Sequence, residues 1–283
     1  MGIARHGSAL RADAAALASQ VHPVFMLPPL AASWFGAILA GEFSIAVGAV
    51  HAAAIFFAVY TAHLKDGYVD FHVRGEDDDH PMTAHGCRFA LAGSTLAFAS
   101  LLAVLWWRVG AIAALLTLPT WVIAYGHAPQ LDTNPLTATT GYPLGIALAI
   151  LGAHYAQAGA VAPIAIAFAV VFLVLLSGVK VIDDAQDYDY DRSIAKRTVA
   201  VAVGPRRARL FAYGLMLAGM VAVVGFAAAR LFPPSAVLAP VAFGLVALAT
   251  RRAGPELATM LLVRGSYVFL AVLVAAVWFR PLS

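Results

Sequence analysis

The sequence predicts an all-α integral membrane protein, a bundle of about nine transmembrane helices arranged as two four-helix halves plus one. Three observations lead there. The 283 residues are 62% hydrophobic and only 12% charged, against about 45–50% apolar and about 25% charged in soluble domains. The apolar residues gather into runs close to the ~20 that a helix needs to cross ~30 Å of hydrocarbon. Those runs are continuous and lack the two-residue alternation of an outer-membrane barrel.

Nine spans are expected, at roughly 22–40, 43–63, 86–107, 109–127, 141–157, 162–182, 207–230, 234–250 and 257–279, the fifth being short. His22-Pro23 opens the first, since proline suits a helix's first turn. The start, MGIARHGSALRADAAALASQ, has a signal peptide's basic character, but no small-residue cleavage site follows a compact apolar core, so no cleaved signal is expected. The chain reads as a single domain, 1–283. Its one cysteine, Cys87, excludes an intrachain disulfide. A formal net charge of +3 gives no reason to expect a nucleic acid, and no protein partner is predicted.

The placement of charge sets the orientation. With nine spans and a cytoplasmic N-terminus, the loops after even-numbered spans are cytoplasmic. Only Arg108, Arg230 and Arg280 then lie outside. The other fifteen of the eighteen Lys and Arg lie inside or at that interface, as the positive-inside bias requires. The opposite orientation reverses the count. The expected location is the plasma membrane, multi-pass.

The acids are not scattered. Asp66, Asp70, Glu76, Asp77, Asp78 and Asp79 follow the second span, in a loop expected over about 63–85. Asp183, Asp184, Asp187, Asp189 and Asp191 follow the sixth, in a loop over about 183–206. Both stretches then face the cytoplasm, the face at which a site built on them is expected. If the sixth helix continues past Ile182, Asp183, Asp187 and Asp191 stand at i, i+4 and i+8 on one face, with Asp184 beside them; Asp66 and Asp70 share the same spacing. Like charges so spaced repel unless a counter-charge joins them. Grouped carboxylates are the hard oxygen ligands that Mg²⁺ takes, completed by water and phosphate oxygens. No HxxxH or HxxE pair occurs among His22, His51, His63, His127 and His154, so haem or zinc ligation is not expected from them. Arg264 lies within the ninth span and is read as snorkelling toward the cytosolic face.

The second stretch, Asp183-Asp184-Ala185-Gln186-Asp187-Tyr188-Asp189-Tyr190-Asp191, followed by Arg192 and Lys196-Arg197-Thr198, resembles the second Asp-rich motif of the UbiA superfamily of intramembrane prenyltransferases. The first, Ala62-His63-Leu64-Lys65-Asp66-Gly67-Tyr68-Val69-Asp70, is similar to the family's NDxxDxxxD at Asp66 and Asp70, with Ala62 and His63 where Asn and Asp usually stand. His80-Pro81-Met82 resembles its Arg-Pro-Leu. The resemblance covers the whole chain in span count and motif position. Many members also carry, after the fourth helix, a Tyr followed by a Lys that helps bind diphosphate. Here the segment is Tyr125-Gly126-His127-Ala128-Pro129-Gln130, with no Lys or Arg until Lys180.

The resemblance implies a transferase of prenyl (alkyl, other than methyl) groups. It ionises a polyprenyl diphosphate with Mg²⁺ and passes the prenyl group to a hydrophobic or aromatic acceptor. It assigns Asp66, Asp70, Asp183, Asp184, Asp187 and Asp191 to the metal. Asp66, Asp70, Asp184, Asp187 and Lys180 become the catalytic set. Lys180, Lys196, Arg197, Arg74, His63 and Tyr125 are expected on the diphosphate. A lipophilic acceptor is favoured, because the loop after the fourth span has no cation to recruit a carboxylate. Two other readings stand beside it. A membrane terpene cyclase would quench the same cation without an acceptor. A transporter would use the acids as a cation entry site, but transporters place ionisable groups near the midplane.

Overall fold

A computed structural model describes residues 2–7, 9–194, 196–250, 252 and 255–282. The chain is all-helical; a single bridge, Ala4 to Met82, is the only β pairing among the described residues. Its helices are α1 (Leu10–Ala18), α2 (Pro23–Leu39), α3 (Ile45–Gly67), α4 (Ala84–Arg108), α5 (Ala111–Gly126), α6 (Pro135–Ala158), α7 (Pro163–Asp184), α8 (Tyr188–Ser193), α9 (Val199–Val203), α10 (Pro205–Ala228), α11 (Leu238–Thr250) and α12 (Pro255–Phe279).

Each of the nine expected segments falls on a helix. Among the described residues, seven helices are long and apolar enough to cross a membrane. The segment at 22–40, on α2, reaches that standard only together with α1, from which it is bent by 67°. The segment at 234–250 is the shorter apolar helix Pro234–Thr250. Prolines open α2, α6, α7 and α10 at the first turn, where the missing N–H costs nothing. Asn134 caps α6 by accepting from Leu136 N at 2.9 Å, and Thr83 caps α4 by accepting from Gly86 N at 2.9 Å.

α7 is the central helix. It packs on α6, α10 and α12, and Phe168, Val171, Leu175 and Val181 on it are fully buried. Phe35, Phe168, Phe226 and Phe232 join edge-on and tilted around its N-terminal half. Lipid is as apolar as leucine, so helices here associate through close approach and small residues rather than through exclusion of water. The α2–α6 contact shows it: a Cβ on Gly36 would land on the backbone of Ile150. Gly36→Ala is therefore expected to cost about 1–3 kcal/mol by overpacking. The check is a lowered melting temperature in detergent, whereas Gly93→Ala, which faces open space, serves as the control.

Two departures from expectation bear on the site. The helix carrying the first acidic stretch does not end at 63: α3 runs to Gly67 and continues as a π-helical turn, Tyr68–Arg74, closed by Gly75 in the left-handed region at φ 67°. The helix carrying the second stretch does not run on to Asp191: α7 stops at Asp184, and the chain turns before α8. Continuing it would have lined three carboxylates along one stripe.

Candidate active site

Both acidic stretches end at one end of the bundle, the first on the tail of α3 and the second on the tail of α7. The break after α7 sorts the second stretch into two pairs. Asp183 and Asp187 are exposed, whereas Asp184 and Asp191 are buried. Asp184 is held by Lys180, one helical turn back, with Nζ 2.5 Å from Oδ1; the same ammonium lies 3.4 Å from Asp183 Oδ2. Asp191 closes the following turn, its carbonyl accepting from Lys196 N at 3.0 Å. Burial pushes the Asp191 carboxyl up to about 6, against the pull of the Lys196 ammonium.

In the first stretch Asp66 is half-buried on α3. Asp70 sits in the π turn, 3.7 Å from Arg74 Nη1. Arg74 is the hub here: its Nη2 donates to Asp132 Oδ2 at 2.8 Å and its Nε lies 3.5 Å from Glu76 Oε1. Asp77 and Asp78 are exposed, and Asp79 pairs outward with Arg5 and His6 at 3.0 Å each.

The two stretches meet. Tyr190 Oη, from α8, donates to Glu76 Oε2 at 3.1 Å. Arg197 N donates to the Asp132 carbonyl at 2.9 Å, so Asp132 ties the first stretch through Arg74 and the second through the backbone. Lys196 stands within electrostatic range of Asp70 on one side and of Asp184 and Asp191 on the other. Its ammonium also lies 5.8 Å from the centre of the Tyr190 ring.

The remaining expected residues are less central. The Arg197 side chain is exposed. His63 packs against His22, ring centroids 4.7 Å apart, and its Nε2 is buried with no hydrogen-bond partner among the described residues. Tyr125 stacks on Trp121 at 5.1 Å, and Lys65 Nζ lies 4.2 Å over its ring. Asp132 and Lys65 are the two residues that sequence reasoning passed over. Asp132 is a single acid outside the clusters, and Lys65 lies inside the first motif among residues read for their carboxylates. Lys65 brings a cation to Tyr125, where the chain that follows Tyr125 carries none.

The donor set fits a hard divalent cation. Asp70 Oδ1 and Asp184 Oδ2 are buried and have no hydrogen-bond partner among the described residues. Buried carboxylate oxygens left so are costly unless something else takes them, and carboxylate oxygens are the ligand type Mg²⁺ uses.

A multi-pass helical bundle with two acidic stretches meeting beside lysines and an arginine at one end defines a class, the multi-spanning membrane proteins that carry a polyvalent charged site at one end of the bundle. The comparisons narrow it. No family model matches the chain. It is 31% identical over 241 residues, 80% of this chain and 75% of the other, to the 1,4-dihydroxy-2-naphthoate octaprenyltransferase of Mycobacterium tuberculosis (strain ATCC 25618 / H37Rv). Its fold matches a UbiA homolog from Aeropyrum pernix K1 with a TM-score of 0.70 at 15% identity, over 90% of this chain and 98% of that one. It also matches a UbiA homolog from Archaeoglobus fulgidus bound to GPP and Mg²⁺, TM-score 0.67 at 16% identity, over 94% and 99%. The chain belongs to the UbiA superfamily of intramembrane prenyltransferases. It is a transferase of prenyl groups, embedded in the membrane by multiple spans.

Proposed function

We propose that the protein is a Mg²⁺-dependent prenyltransferase that ionises a polyprenyl diphosphate and transfers the prenyl group to an aromatic acceptor. The observation that carries this is the meeting of the two acidic stretches around Lys180, Lys196 and Arg74, with carboxylate oxygens of both stretches left without hydrogen bonds. Asp66, Asp70, Asp183, Asp184, Asp187 and Asp191 are the residues to hold the metal. Mg²⁺ bound there supplies Lewis-acid neutralisation of the departing diphosphate.

The chain's own groups do the rest. Lys180 is fixed by Asp184 and Asp183, and so presents preorganised positive charge at the end of α7; Lys196 adds a second ammonium from the loop beyond α8. His63 and Arg197 border the same end and complete the diphosphate contacts. The apolar bundle behind these groups excludes water from the allylic cation until the acceptor attacks. Lys65 over Tyr125 favours an acceptor with an anionic group, in place of the purely lipophilic one expected from sequence, and the relative named for 1,4-dihydroxy-2-naphthoate supports an aromatic acid. We place the acidic end in the cytosol, at the plasma membrane, because fifteen of eighteen Lys and Arg then fall on that side. Nine spans, the ninth in addition to two four-helix halves, accord with that orientation and with a single domain.

The test is incubation of the purified protein with Mg²⁺, farnesyl, geranylgeranyl or octaprenyl diphosphate, and a panel of aromatic acids and lipophilic alcohols. Diphosphate release coupled to a prenylated aromatic acid is the expected result. Hydrocarbons or alcohols formed without acceptor would assign a cyclase instead. Release with none of the donors would end the prenyl-transfer reading.

A further inference from the structure

We propose that His72, His80 and Cys87 form a zinc site that staples the end of α3 to the start of α4, apart from the acidic site. Each offers one donor atom, and these atoms all lie within 4.8 Å of one another. They come from three pieces of chain: the π-helical turn, the loop after it and the first turn of α4. His80 and Cys87 are 5% and 0% exposed, and His72 is half-buried. The π turn places the His72 ring edge-on to that of His80, centroids 5.7 Å apart. Cys87 Sγ is 4.0 Å from His80 Nδ1.

His80 Nδ1 lies 3.2 Å from both Met82 N and Met82 O; ligation through Nδ1 exchanges its Met82 contact for the metal bond and leaves the ring proton on Nε2. Nε2 is buried and has no hydrogen-bond partner among the described residues. It borders the same space above Gly67 as the Gln20 Oε1 carbonyl oxygen, and metal-bound histidines donate their second ring N–H to an oxygen acceptor. The Met82 carbonyl lies between the rings, 3.1 Å from His72 Nε2 and 3.2 Å from His80 Nδ1, and is placed to serve as an oxygen ligand.

Two imidazoles and a thiolate are the ligands of zinc, not of magnesium. Bonds of ~2.0–2.1 Å to nitrogen and ~2.3 Å to sulfur put tetrahedral donors roughly 3.3–3.6 Å apart, so the cluster closes with about 1 Å of side-chain movement. Binding exchanges the Cys87 S–H bond for a sulfur–zinc bond and releases the proton to solvent. The N-terminal segment covers the place: Arg5 N donates to Pro81 O at 2.8 Å and Thr83 N to Ile3 O at 3.0 Å. A metal here would fix the α3–α4 connection, and through it the direction of Asp66 and Asp70. The proposal stands independently of the prenyl-transfer reading.

The protein is purified with Mg²⁺ and without chelator, and its metal content measured per chain. One zinc is expected, lost in Cys87→Ser and in His80→Asn. A second measurement needs no variant: wild-type protein stripped of metal and titrated with Co²⁺ should develop the near-ultraviolet thiolate-to-cobalt band. Cobalt held by the acids alone has only oxygen ligands and gives no such band. A stripped wild-type protein that shows no band at saturating Co²⁺ overturns the site. So does zinc retained undiminished in folded Cys87→Ser.

Discussion

Replacing Asp187 with Asn should lower prenyl-diphosphate turnover by about two to three orders of magnitude while leaving the melting temperature unchanged. The magnitude follows from the role. A carboxylate that holds a Lewis-acid metal on a leaving group contributes several kcal/mol of charge stabilisation in the transition state, and each ~1.4 kcal/mol is a factor of about ten in rate. The intact fold follows from position. Asp187 is exposed at the turn between α7 and α8, where its backbone carbonyl accepts from Asp191 N at 2.8 Å, and the amide keeps that bond. Asp184→Asn is a poorer probe, because it also removes the partner of Lys180 at the end of a buried helix and loses stability together with activity. Asp189→Asn supplies the control: the residue is exposed and is not one of the six carboxylates proposed to hold the metal. Turnover and Mg²⁺ dependence are measured with the donor at saturation. An Asp187→Asn enzyme that turns over like wild type removes this residue from the metal set.

How much of this could be read before folding depends on whether the signal was local. Twenty-residue apolar runs mark helices without reference to any neighbour, so the segments at 86–107, 109–127 and 162–182 lie on α4, α5 and α7 almost to the residue. The acids were legible as two clusters because charge in so apolar a chain has few places to go. Their geometry was not. The spacing of Asp183, Asp187 and Asp191 fits a helical stripe, yet the helix ends after Asp184, and only the fold shows that Asp184 and Asp191 turn inward while Asp183 and Asp187 turn out. Likewise α3 outruns its apolar segment, because the polar turn that follows is received by another chain segment: Arg74, which pairs with Asp70 within the turn, is held by Asp132 from beyond α5. Pairings of that kind join residues 58 apart in the chain. The same holds for Lys65 over Tyr125, and for His72 beside His80 and Cys87. None of these has a fixed spacing to search for.

Arg74→Gln should be the most destabilising change at the acidic end. The guanidinium side chain is 17% exposed, and its partners Asp132, Glu76 and Asp70 are 11%, 5% and 22% exposed. Removing one partner of a buried charge group leaves the others uncompensated, which costs about 3–5 kcal/mol. Three carboxylates lose their common cation here, and protonation or hydration of Asp70 brings the expected loss to the lower end of that range. The partner change Asp132→Asn removes one of those charges, so the double variant Arg74→Gln/Asp132→Asn should recover part of the loss. A coupling of about 0.5–3 kcal/mol is the range for residues in one network. Unfolding in detergent measures stability, and KM for the prenyl diphosphate measures binding. The two readouts separate the roles open to Arg74. If it anchors the network, stability falls in the single variant and returns in the double. If its work is to hold diphosphate, KM rises, the melting temperature stays put, and Asp132→Asn rescues nothing.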